Sequence, residues 1–99
     1  MRQRSDAWLL LSLIYSREFA GRERLRQVGD FINHAIFTDD ELDGGLARLH
    51  EAGHVLAKGD QYAPSARVLA WYDVVVAGKS RTAVHKDLER VERFLRHGP

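Results

Sequence analysis

Residues 37–65 read FTDDELDGGLARLHEAGHVLAKGDQYAPS, and inside them residues 50–54 spell HEAGH. Two readings compete for this stretch. His50, Glu51 and His54 have the His-Glu-x-x-His spacing that can set two zinc ligands and a general base on one helical face. The same letters also read as the end of one element and the start of another. Thr38, followed three residues later by Glu41, forms a capping box, and Asp39 and Asp40 suit the positive end of a helix dipole. Leu42, Leu46, Leu49 and Ala52 then repeat as an inward stripe. Gly53, directly after that stripe, predicts a left-handed helix stop. Such a stop carries His54 out of the helix and separates the two imidazoles. A third ligand is also needed. Asp60 sits at a rarer spacing for one, but Ala57 stands where that variant needs a glycine turn. No metal at His50 and His54, and no zinc hydrolase, is therefore expected.

Beyond Gly53 the periodicity changes from helical to alternating. Val55 and Ala57, a Lys58-Gly59-Asp60 turn, and Tyr62 before Pro64 predict a short β-hairpin. Upstream, Ser5 or Asp6 can cap a helix whose residues Ala7–Leu11 and Leu13–Tyr15 leave almost no polar face,. A helix apolar nearly all round belongs in the middle of a core. That reading is preferred to a signal peptide, because the apolar run is short and Asp6 interrupts the basic start; it is also too short to span a membrane. After Gly21, Leu25, Val28, Phe31, Ile32 and Ile36 repeat at helical spacing, with Gly29 a tolerated weakness of ~1 kcal/mol. Downstream, Ser65 can cap a helix reaching about Ala77, with Val68, Leu69, Trp71, Tyr72, Val75 and Val76 packing. The β-branched run Val74–Val76 leaves a short strand as the lesser alternative. Gly78 breaks that helix and Ser80 or Thr82 can start another. There Val84, Leu88, Val91 and Leu95 form a two-heptad seam.

Ninety-nine residues with 44% hydrophobic and 29% charged side chains describe one ordinary globular domain,. With no cysteine, disulfides and thiolate chemistry are excluded, and a bacterial or cytoplasmic interior is the default,. The net charge of +1 hides an uneven distribution. Residues 1–29 carry six basic and three acidic side chains, residues 30–60 two and seven, and residues 61–99 seven and four. The centre is acidic and both ends are basic.

Helix, helix, capped helix, and a hairpin ending in tyrosine and proline: this order resembles the winged helix, the helix-turn-helix variant with a β-wing. The residues that carry the resemblance are FTDDELDGGLARLHEAGHVLAKGDQYAPS, with the leucines, Gly53, Gly59 and Tyr62 in the places that superfamily uses. The segment DFINHAIFTDDELDGGLARL also resembles a group of small uncharacterised bacterial winged-helix proteins, which implies a fold and no activity. The expected fold is thus mainly α with a small β-hairpin. A winged helix-turn-helix core occupies residues 1–65, and a helical extension over residues 66–99 packs on it or forms a dimer interface.

For a winged helix the resemblance implies duplex DNA as partner, with the third helix in the major groove. The charges oppose this. With the leucines inward, that helix turns Asp40, Asp43, Gly44, Ala47 and Glu51 outward. Carboxylates facing a polyanion cost affinity, and only Arg48 could make a bidentate base contact. The expected partner is therefore a protein, or a second copy joined through Val84, Leu88, Val91 and Leu95. In the alternative, a DNA-binding transcriptional regulator, Lys58 with Arg90, Arg93 and Arg96 contacts phosphates. Arg2, Arg4, Arg22, Arg24, Arg26, Lys79, Arg81 and Lys86 would then extend a basic surface away from the third helix.

Smaller features have plainer readings. Gly44-Gly45 costs ~2 kcal/mol against alanines, so Gly45 should pack closely on a neighbouring helix and Gly44 should suit a flat partner. Asn33-His34 reads as a turn whose side chains satisfy nearby backbone. Asp39, Asp40, Glu41 and Asp43 read as a helix start rather than a cation site, since no glycine-punctuated loop accompanies them. Trp8, Trp71 and Tyr72 read as core or dimer packing. No phosphate loop and no serine–histidine arrangement appears, so neither an enzyme nor a cofactor is expected.

Overall fold

The computed structural model describes residues 3–79 and 83–98. Arg2, Ser80, Arg81 and Thr82, assigned above to the basic surface and to a helix start, lie outside the described residues. The element order is α1 (Gln3–Ser16), α2 (Arg22–Asn33), α3 (Asp39–Glu51), β1 (Val55–Lys58), β2 (Gln61–Pro64), α4 (Ala66–Val76) and α5 (Val84–His97). The chain is mainly α with a small antiparallel hairpin. None of the described helices is long and apolar enough to cross a membrane.

α1 is the axis of the core. Every residue from Ala7 to Ile14 is buried, and the helix touches α2, α3, α4, α5 and β2. A helix with no polar face needs neighbours on all sides, and these elements supply them. Two polar groups inside α1 are satisfied locally, Ser12 and Ser16 donating to the carbonyls of Trp8 and Ser12. Asp6 is not the expected cap. It lies within the helix, buried, and meets a residue of α3.

α2 buries Leu25, Gly29 and Ile32. The helix stops at Asn33 because His34 turns left-handed (φ 53°) and its N–H donates to the Asp30 carbonyl. The expected stripe through Phe31 and Ile36 is therefore corrected: the chain leaves helical geometry before Ile36, and both side chains are exposed. Gly29 is more than a tolerated weakness. A Cβ there would stand 2.3 Å from Phe37, whose ring stacks on Trp8 with centroids 3.7 Å apart. The Trp8 indole N–H donates to the Gly29 carbonyl at 2.9 Å. Glycine lets α1, α2 and the α2–α3 connection meet at this point.

α3 begins with the capping box. Thr38 Oγ1 accepts from the Glu41 N–H, and the Glu41 carboxylate accepts from the Thr38 N–H. It ends at Gly53, φ +82°, where Gly53 N–H donates to His50 and His54 N–H donates to Leu49. That pair of bonds is a Schellman stop. β1 and β2 follow in the register Val55↔Pro64 to Lys58↔Gln61, with Gly59 at φ +61° in the turn. A third short piece joins them, since Ala20 and Tyr62 exchange both backbone hydrogen bonds. The hairpin is thereby pinned to the α1–α2 connection.

α4 is helical through Val76, so the strand alternative for Val74–Val76 does not apply, and Ser65 caps it by accepting from Val68 N–H. α5 lies along α1 and buries Asp87, Leu88, Val91 and Phe94. Both α4 and α5 pack against α1.

Candidate functional site

The outer face of α3 presents Asp40, Asp43, Ala47 and Glu51, all exposed, with Gly44 half-buried among them. Five of the chain's carboxylates, those of Asp39, Asp40, Glu41, Asp43 and Glu51, stand on this one helix. Two arginines of α2 reach across to it. Arg22 bridges Asp39 and Asp43, and Arg26 bridges Asp39 while donating to the Phe37 carbonyl. The two guanidinium groups hold the Asp39 carboxyl below the ordinary carboxylate range. Arg22 and Arg26 thus do not form a basic surface away from the third helix, as the sequence had implied; they are absorbed into it. Asp40 and Glu51 make no ion pair among the described residues.

Arg48 is likewise committed. Its Nε and Nη2 donate to Asp6 Oδ2 and Oδ1, both at 2.8 Å, and the Asp6 side chain is only 4% exposed. This fork-to-fork contact occupies the Nε–Nη2 edge of the guanidinium and holds Arg48 against α1,. The guanidinium also lies over Gly44, where a Cβ would stand 3.1 Å from Nη1. Gly44 therefore accommodates the chain's own arginine rather than standing bare for a flat partner. Gly45 packs as expected: a Cβ would stand 2.7 Å from Leu9 Cδ2 and 3.2 Å from Asp6 Oδ1. The two glycines let α3 approach α1 and let Arg48 fold back on Asp6.

The HEAGH letters do not lie on one helical face. His50 is exposed on α3, whereas His54 has left the helix. The His54 ring lies 5.0 Å from that of Phe94, with Nδ1 3.2 Å from Arg67 Nη2. Burial, and then the Arg67 charge, push its pKa down. No group of three or more metal-ligating side chains is found among the described residues, Asp39, Asp40, Glu41 and Asp43 included.

The seam of α5 is also corrected. Leu88 is 7% exposed and Val91 fully buried against the chain's own core, with Val84 and Leu95 partly buried beside them. α1 occupies the place assigned to a second copy. Trp8 and Tyr72 are core residues, and Trp71 packs half-buried on Phe94. Of the cations assigned to phosphate, Arg90 pairs with Asp87 and Lys58 lies over the Phe19 ring. Arg93 and Arg96 are exposed and make no ion pair among the described residues. Lys79 donates to the Val75 carbonyl, Arg4 lies 3.7 Å from Glu92, and Arg24 and Lys86 are exposed. Asn33 and His34 form a turn, but the backbone holds it; their side chains are exposed and make no hydrogen bond among the described residues.

Sequence reasoning missed one polar centre altogether. Asp87 is fully buried in α5. Its Oδ2 accepts from the hydroxyls of Tyr15 (2.7 Å) and Tyr72 (2.8 Å), and its Oδ1 accepts from Arg90 Nη1 (2.7 Å). Burial and the adjacent carboxylate hold the Tyr15 phenol far above its usual pKa. A signal was present: Asp87 is three residues from Val84 and four from Val91, on the seam itself, where an acid must be satisfied.

Comparison with protein-family models, curated proteins and solved structures gives no match to this chain.

Proposed function

We propose that this chain is a non-enzymatic winged helix-turn-helix binding module of a bacterial cytoplasm, and that the outer face of α3 meets a protein carrying basic side chains. Support for the winged-helix reading comes from the element order and from the hairpin's attachment to Ala20. The observation that carries the choice of partner is where the arginines stand. Arg22, Arg26 and Arg48 are all paired with carboxylates of the chain, so the charge of the cations nearest α3 is already offset within it. Asp40 and Glu51 remain without a cation among the described residues. Affinity for a polyanion grows from cations that release its counterions, and this face offers the opposite. A homodimer through the α5 seam is disfavoured, because Leu88 and Val91 would first have to leave α1.

An oligolysine peptide tests the face directly. It should bind the chain in a salt-sensitive manner and lose that binding in the combined variant Asp40→Asn, Asp43→Asn, Glu51→Gln. Unchanged binding in the variant refutes this placement of the partner.

A second reading, a DNA-binding transcriptional regulator, is favoured by one observation. Lys86, Arg93 and Arg96 on α5 are exposed, and their side chains make no ion pair among the described residues. In that case phosphates contact α5 and Lys58, and α3 stays out of the groove.

A further inference from the structure

Between α4 and α5 the chain leaves an open groove of about 280 Å³, walled by Trp71, Val75 and Phe94, with Arg90, Arg93 and His97 among the residues that line it. The Trp71 and Phe94 rings are 4.4 Å apart between centroids, and Trp71 is half-buried, which leaves part of the indole towards solvent. Among the described residues no carboxylate side chain lines the groove. Arg93 is exposed and makes no ion pair or hydrogen bond among the described residues. Arg90 is held in place from behind by Asp87, which Tyr15 and Tyr72 anchor in turn. One edge of its guanidinium is used by that contact and N–H groups remain for a second acceptor.

We propose that this groove binds a small aromatic carboxylate, its ring against Trp71 and its carboxylate on Arg93, with Arg90 as a second donor. The volume is at the lower end of ligand sites and fits one or two fused rings,. An aromatic wall beside a guanidinium that makes no ion pair among the described residues matches a ligand with both parts. A simple inorganic anion leaves the indole unused, and a neutral ring leaves Arg93 unmatched. Planar carboxylate suits the planar fork of arginine.

The probes are naphthoate and its neutral analogue naphthylmethanol, titrated into the full chain by calorimetry and followed by NMR of the indole signals. Naphthoate should bind at ~1 mM or tighter, and the alcohol about tenfold more weakly. The Trp71 indole signal, not that of Trp8, should move. Arg93→Gln, on an exposed side chain, should erase the preference for the anion; Arg93→Lys should keep part of it, and Trp71→Leu should weaken both probes. Absence of naphthoate binding, equal binding of the alcohol, or a preference that survives Arg93→Gln each overturns the proposal. The α3 variants that neutralise Asp40, Asp43 and Glu51 should leave naphthoate binding intact, so groove and α3 face stand or fall separately.

Discussion

Asp6 and Arg48, forty-two residues apart, close on each other through two parallel 2.8 Å hydrogen bonds that tie α1 to α3. The carboxylate is almost fully buried and the guanidinium about one-third exposed. Removing only the cation strands a buried charge, whereas removing both partners does not. Arg48→Met should therefore cost about 1–3 kcal/mol, less than for a wholly buried pair because the arginine side reaches solvent. Asp6→Leu combined with Arg48→Met should cost less than the sum of the single changes. Urea unfolding across the double-mutant cycle measures the coupling; additive costs would show that the pair is worth little.

The Asp87 centre joins three helices through one carboxylate. Asp87→Ala should destabilise by about 2–4 kcal/mol, because a buried and a half-buried phenol and a guanidinium lose their shared acceptor,. Tyr15→Phe should cost about 1.5–3 kcal/mol, the range for one hydrogen bond to a charged group, and less than Asp87→Ala. Thermal unfolding of both variants checks this ranking. A Tyr15→Phe cost matching that of Asp87→Ala contradicts it.

Gly29 offers a test of close approach. Alanine there gains ~1 kcal/mol in helix propensity but drives a methyl into the Phe37 ring,. The clash should win, with a net loss of about 1–3 kcal/mol, the usual cost of overpacking. Phe37→Leu in the same chain should recover part of that loss, read as the urea midpoint of the double variant against the single. No recovery would place the strain elsewhere.

His54 predicts a direction with pH. Its folded pKa is depressed by burial and by Arg67, so the unfolded chain binds this proton more tightly. Stability from this site is complete above the unfolded imidazole pKa of ~6.5 and declines as pH falls below it, levelling off beneath the folded value. His54→Asn should remove this part of the acid sensitivity. Urea midpoints for both chains between pH ~5 and ~8 isolate it, and parallel profiles would contradict the assignment.

What could be read from the sequence was local. Thr38 with Glu41, Gly53 after a leucine stripe, and Gly59 between alternating residues each specify a cap, a stop or a turn through neighbours within a few positions, and all three form as read. Periodicity also located the apolar faces of α3 and α5, except that Ala52, expected inward, caps α3 and is exposed. It did not say what each face meets, and the α5 seam was given to a second copy when α1 covers it. On α2 the helical repeat ends where His34 turns left-handed, which leaves Ile36 outside the helix, and Phe31, still within it, lies on the solvent face away from Leu25 and Ile32. The polar centres were out of reach for a different reason. Asp6 with Arg48 and Arg22 with Asp43 are pairs made by tertiary packing, and no spacing encodes them; the place of Asp87 on the α5 seam is legible, but its partners Tyr15 and Tyr72 are not. Those pairings decide the charge available on α3, and so the candidate site.

The claim that most of the functional reading rests on is that the engaged arginines make α3 a poor surface for nucleic acid. Fluorescence anisotropy of a short random duplex at low salt measures it directly. No binding is expected at protein concentrations of tens of micromolar, a range in which even non-specific DNA binders respond at low salt. Micromolar binding that weakens steeply with salt and survives the change of Arg93 and Arg96 to glutamate would contradict it; loss of binding in that variant would place the DNA on α5 instead,.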